Sequence, residues 1–189
     1  MERKKDSHIT TFTGIWFYPT APDPDDILIE DIAHCLPLIC RGNGHVIRFW
    51  SVGSHSICCA LEAEARGLGP ETALACLLHD ASECYMSDVP RPFKSSMPEY
   101  IRMEQALTEM IYIKFIGRPL TAEEENEVRH IDDDMLWYDL KYLLNEEAGE
   151  EPLVRVKPDF EFRPFREVEK QFTELFERYT AKLKERKDD

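Results

Sequence analysis

Residues 121–145 read TAEEENEVRHIDDDMLWYDLKYLLN, and the spacing of their apolar side chains points to the fold class. At about 100° per residue, Val128, Ile131, Met135, Tyr142 and Leu143 share one side of a helix. Thr121 and Glu124 have the spacing of a capping box, in which each side chain satisfies a backbone donor that the first turn leaves orphaned. Asp132 and Asp139 fall inside the apolar stripe, whereas Asp133 and Asp134 point away from it, as solvated charges would. A carboxylate within such a stripe is costly unless it is paired or bound to a metal. Asp132 therefore calls for a partner from elsewhere in the chain.

The flanking sequence is helical too. A first helix is predicted after Pro24, capped by Asp25 or Asp26, with Ile29, Ile32, Ala33 and Leu36 on one face and Pro37 at its end. Residues 41–45 (RGNGH) read as a loop. A second helix spans Ser51, a good N-cap, to Gly67, a good C-terminal stop. A third begins near Pro70 and continues through His79-Asp80 to about Tyr85. Residues 87–94, with two prolines, read as loop, and a fourth helix follows from Pro98 to Gly117. Residues 150–163 read as an extended connector with a few strand residues near Leu153-Val154. The last helix starts at Pro164 and carries Phe165, Val168, Phe172, Leu175, Phe176, Tyr179 and Leu183 as core. Together these predict an all-α, single-domain bundle of about six helices over residues 11–185, after a disordered segment 1–10.

The chain has 189 residues, 43% of them apolar, enough for one sizeable core. Its 37 acidic and 23 basic residues leave a net charge of −14, which repels a nucleic-acid duplex. A small phosphorylated ligand is compatible with that charge, because a bound divalent cation reverses the local field. Cys35, Cys40, Cys58, Cys59, Cys76 and Cys84 form no CxxC pair and read as small buried hydrophobes. No signal-like segment opens the chain, and no apolar run approaches the roughly 18 residues that span a bilayer. A cytoplasmic protein without a membrane partner is expected. Of Trp16, Phe17 and Trp50, at least two are expected in the core.

Four residues carry a metal reading: His55, the pair His79-Asp80, and Asp132. Imidazole nitrogens and carboxylate oxygens from rigid elements are the ligands a divalent ion needs. On the third predicted helix, Glu83 lies one turn beyond His79 and on the same side, with Asp80 beside them and Leu74, Leu77 and Leu78 opposite. An isolated His-Asp pair arises by chance; its combination with His55 and the inward Asp132 is what points to a metal.

The string His79-Asp80-Ala81-Ser82-Glu83, followed by Asp88-Val89-Pro90-Arg91-Pro92-Phe93-Lys94, closely resembles the HD-domain 5′-deoxynucleotidases. It is still more similar to the phage- and prophage-type HD phosphohydrolases, whose opening segment resembles Thr13-Gly14-Ile15-Trp16-Phe17. Ser51-Val52-Gly53-Ser54-His55-Ser56 and Val128-Arg129-His130-Ile131-Asp132 resemble their other metal segments, so the resemblance covers about residues 11–145. It implies an HD-type helical bundle in which His55, His79, Asp80 and Asp132 bind one divalent ion (Mn, Co, Fe, Ni, Zn or Mg). It also implies acid–base or water-orienting roles for Glu83 and Asp88. Arg41 is the nearest match to the family's nucleotide-contacting arginine, although the Arg-Trp pair is missing. Lys94 matches the family, and Arg91 stands where it carries a small polar residue; both are candidate phosphate contacts. The expected activity is phosphate removal from a 5′-(deoxy)nucleoside monophosphate, with a homodimer implied. A deoxynucleoside triphosphate hydrolase of the same fold is the alternative within enzymes, and a non-catalytic nucleotide-binding module the alternative outside them. A cyclic-dinucleotide phosphodiesterase is disfavoured because its Gly-Tyr-Pro signature is absent.

Overall fold

A computed structural model describes residues 7–147 and 149–188. After a small antiparallel hairpin of β1 (Ile9–Thr10) and β2 (Trp16–Phe17), the chain is helical. The helices are α1 (Ile29–Cys35), α2 (Val52–Arg66), α3 (Pro70–Leu78), α6 (Pro98–Ile116), α7 (Ala122–Leu143) and α8 (Phe165–Asp188), with single turns α4 (Glu83–Met86) and α5 (Arg91–Lys94) between α3 and α6. The all-α, single-domain architecture expected from the sequence is thus the one observed. Among the described residues, no helix is long and apolar enough to cross a membrane.

The central element is α3, whose residues 72–78 are all buried. Its small side chains Ala73, Ala75 and Cys76 let neighbours approach closely, and α2, α6, α7 and α8 pack around it. The expected division of this helix into a packing face and a polar face therefore does not hold. Nor does α3 run to Tyr85: it ends at Leu78, with His79 as its C-cap. The chain then tightens into three-residue turns, Ala81 N–H to Leu78 O and Glu83 N–H to Asp80 O, before α4 begins. His79 and Asp80 thus project from the end of a buried helix, and Glu83 sits on a separate turn.

Where local chemistry dominates, expectation and structure agree. Ser51 caps α2 through the Ser54 amide, Gly67 ends it at φ 81°, and Thr121 and Glu124 form the capping box of α7. Other boundaries moved. Residues 24–26 form a 3-10 turn capped by Asp23, so α1 starts only at Ile29. Residues 91–94, read as loop, form α5, because Pro92 falls in the first turn, where its missing N–H costs nothing. Leu153 and Val154 form no strand: the Arg155 and Val156 amides donate instead to the buried Glu62 carboxylate, at 2.8 and 2.7 Å. Of the segment expected to be disordered, residues 1–6 lie outside the described residues, and Ile9–Thr10 form β1.

Along α8, Val168, Phe172, Leu175, Tyr179 and Leu183 are buried at helical spacing and close the bundle. Phe165, expected in that core, is exposed at the first residue of the helix, where its ring meets His34 edge-on. Phe17 and Trp50 are buried as expected, while Trp16 is 53% exposed.

Candidate functional site

The start of α2 and the middle of α7 bring three side chains together. His55 lies in the first turn of α2, its amide bonded to Ser51 O, and is only 1% exposed. Asp132 and Asp139 sit two turns apart on α7, and the imidazole of His55 is held between them. Its Nε2 lies 3.0 Å from Asp132 Oδ1, and its Nδ1 3.0 Å from Asp139 Oδ2. Burial disfavours the imidazolium and Arg41 repels it, but Asp139 and Asp132 outweigh both and raise the His55 pKa.

His79 reaches the same point from the end of α3. Its Nδ1–H donates to Cys76 O at 2.8 Å, as it must to a carbonyl, which directs Nε2 inward. That Nε2 lies 3.1 Å from Asp80 Oδ2 and 3.6 Å from Asp132 Oδ1, is buried, and is aligned for a hydrogen bond with neither. Burial again opposes its protonation, yet Asp80 and Asp132 raise the His79 pKa well above the ordinary value. Reciprocally, both histidines hold Asp132 well below the carboxylate range, and His79 with Arg41 brings Asp80 down to about 2, in each case against the effect of burial.

Arg41 completes this layer. The turn at Gly42 and Asn43 has positive φ at both residues, and Arg41 N–H donates to Trp50 O at 2.9 Å, so the loop folds back onto the start of α2. The buried guanidinium places Nε 3.1 Å from Asp139 Oδ2 and Nη1 3.4 Å from Asp80 Oδ2. It therefore ties together the carboxylates behind His55 and beside His79. Glu83, 5% exposed, has its Oε2 buried without a hydrogen-bond partner. Burial, then the charges of Asp80 and Asp88, push its carboxyl well above the usual range; burial and Asp80 also raise Asp88.

Arg91 and Lys94, the other basic candidates, are engaged with carboxylates. Arg91 spans Asp132 Oδ2 at 2.7 Å and Asp133 Oδ1 at 2.8 Å, and Lys94 Nζ meets Glu104 at 2.7 Å. Asp134, expected to be solvated, is paired with Arg66 at 2.6 Å.

Sequence reasoning missed two neighbours of the site. Asp139 was visible in the apolar stripe of α7, but nothing in sequence places it against His55. Cys59, one helical turn beyond His55 on α2, has its Sγ 3.5 Å from His55 Nε2. The donor atoms of His55, Cys59 and His79 lie within 4.8 Å of one another, a group that can hold a metal ion. Burial pushes the Cys59 thiol well above its ordinary pKa, so ligation would first require loss of a strongly held proton. Asp80 and Asp132 are already anionic and lie at the same His79 nitrogen.

No family model matches the chain. YfdR, an uncharacterized protein of Escherichia coli (strain K12), is 40% identical over 109 residues, 58% of this chain and 58% of its own. An uncharacterized protein of Rhodobacter capsulatus is 38% identical over 99 residues, 50% of each chain. The chain spans about half the length of the curated relatives it matches.

A divalent ion fits this donor set. The inward nitrogen of His79 has no aligned hydrogen-bond partner, carboxylate oxygens surround it, and its other nitrogen donates to Cys76 O, the arrangement that orients metal-bound imidazoles, while His55 Nδ1 lies 3.0 Å from Asp139. The site opens into a cleft of about 590 Å³ between α6 and α7, lined by His79, Asp80 and Asp132 together with Gln105, Thr108 and Tyr112. That size suits a nucleotide.

Proposed function

We propose that the chain is a metal-dependent phosphohydrolase of the HD superfamily that removes phosphate from a nucleotide, with a 5′-(deoxy)nucleoside monophosphate as the first candidate substrate. The observation that carries this reading is the His79 Nε2, buried and unsatisfied 3.1 Å from Asp80 and 3.6 Å from Asp132, with His55 Nε2 3.0 Å from the same Asp132 oxygen. His55, His79, Asp80 and Asp132 would hold the ion. When bound, it supplies Lewis acidity toward water and toward the phosphate oxygens.

The protein's own groups do the rest. The Asp139 carboxylate, 3.0 Å from His55 Nδ1, holds the ring by its charge, while Arg41 holds Asp139 and Asp80 in place. Arg41 thus acts as a positioning residue rather than the substrate contact that the family resemblance implies. Glu83 keeps its proton to higher pH than an ordinary carboxyl, the state required of a donor to the leaving oxygen. Asp88, more open, is assigned to orienting water. The free cysteines suit a reducing cytosol.

The test is phosphate release from a panel of nucleoside mono- and triphosphates with each candidate metal. Chelator should abolish release and a divalent ion restore it. Glu83→Gln should lose about 10²–10⁴ in kcat while retaining its metal. Full turnover by metal-free protein would overturn the mechanism, and metal binding without turnover on any substrate would favour a nucleotide-binding module.

A further inference from the structure

Every basic side chain singled out from the sequence is neutralised by the protein itself. Arg41 is held by Asp80 and Asp139, Arg91 by Asp132 and Asp133, and Lys94 by Glu104. A phosphate approaching the site would have to compete with these carboxylates for each of them. One basic residue of the cleft differs. Arg129 lines the same space as His79, Asp80 and Asp132, and it has no ion pair or side-chain hydrogen bond among the described residues. It even leaves Glu125 unpaired, although Glu at i and Arg at i+4 along a helix is a favoured pairing.

Position supports a role at the site. Arg129 lies three residues before Asp132 on α7, so the two share a face one turn apart, with Cβ atoms about 5–6 Å from each other. A guanidinium extended from there reaches a group in the cleft that also touches the Asp132 side of the site. Among the described residues it is the only arginine or lysine lining the cleft; Glu109 and Glu125 give the remaining rim the opposite sign. In a chain of net charge −14, a free guanidinium among carboxylates is the feature that draws an anion to one spot. Its planar fork matches a phosphate's oxygens in pairs.

We infer that Arg129 is the phosphate anchor of the cleft, binding the oxygens of the substrate phosphate beside Asp132; this rests on the phosphohydrolase reading above. Gln105 and Thr108, on the facing wall from α6, offer amide and hydroxyl groups to the organic part of the same molecule.

The test is calorimetric binding of inorganic phosphate to the protein loaded with a divalent ion, with metal content measured in parallel. Arg129→Gln should weaken phosphate binding about tenfold to a hundredfold with metal content unchanged, and raise KM for the phosphate ester more than it lowers kcat. Arg129→Lys should recover part of the loss. Arg102→Gln, an equal charge change on the exposed face of α6, should leave phosphate binding as in wild type. Equal phosphate affinity in wild type and Arg129→Gln would overturn the anchor while leaving the phosphohydrolase intact. So would a parallel loss of metal, which would make Arg129 a support for Asp132, or an equal loss in Arg102→Gln, which would reduce the effect to net charge. A metal-loaded wild type that neither binds phosphate nor releases it from any ester would overturn both readings.

Discussion

Asp132 and Asp133 are consecutive, yet one lies against two histidines, hydrogen-bonded to His55 and 3.6 Å from His79, and the other is half exposed. If the proposed ligand set is right, Asp132→Asn should lose bound metal, because an amide cannot supply the negative charge that a divalent ion would need beside His55 and His79. Asp133→Asn removes only an exposed contact with Arg91 and should change stability by no more than about 0.5 kcal/mol. Metal content by elemental analysis separates the two; equal occupancy would refute the assignment of Asp132. Cys59 provides the complementary case. If the carboxylates ligate, Cys59→Ser keeps the metal, whereas a site built on His55, Cys59 and His79 loses it. Asp139→Asn should retain the site but weaken metal binding about 10- to 100-fold, the usual effect of removing the acceptor behind a ligating histidine.

The helices that carry these residues tolerate change unequally. Thr121 caps α7 at its exposed end, three turns from Asp132, and Thr121→Ala should cost about 1 kcal/mol while leaving metal affinity unchanged. Gly53, two residues before His55 on α2, is different. A Cβ there would lie 3.0 Å from Pro37 N and 3.2 Å from Leu36 C, backbone atoms that cannot turn aside. Gly53→Ala should therefore cost about 1–3 kcal/mol and shift the first turn of α2, weakening metal binding as well. Thermal denaturation of each variant, with and without metal, distinguishes a helix end that only stabilises from one that positions a ligand.

For the whole molecule, protons and a metal at the proposed site would compete for the same nitrogens. Without metal, the raised pKa values of His55 and His79 contribute stability that is fully present below the ordinary imidazole value of about 6.5 and is lost as pH rises through the raised values. Asp80 contributes in the other direction, with stability present above its ordinary value and lost as pH falls toward about 2. A divalent ion needs unprotonated Nε2 atoms, so its affinity, and hence the stability it adds, rises with pH. The gain in Tm on adding a divalent ion should therefore grow between pH 6 and pH 8, while the metal-free Tm falls. A gain independent of pH would argue against ligation by these histidines.

Helix content, the caps at Ser51, Gly67 and Thr121, and the inward turn of Asp132 were legible in sequence because each depends on neighbours within a few residues. His55, His79, Asp80 and Asp132, singled out from the sequence, do lie together in space. Tertiary packing decided the rest. It buried α3 on every side, and the chain turns after Leu78, placing His79 and Asp80 beyond a helix end. It folded the Arg41 loop back onto Asp139, brought His79 up to the His55–Cys59 side of α2, and left Arg129 without a partner in the cleft. Periodicity records which side of a helix is apolar; which charges meet across helices depends on how those helices pack, and no spacing along the chain encodes that.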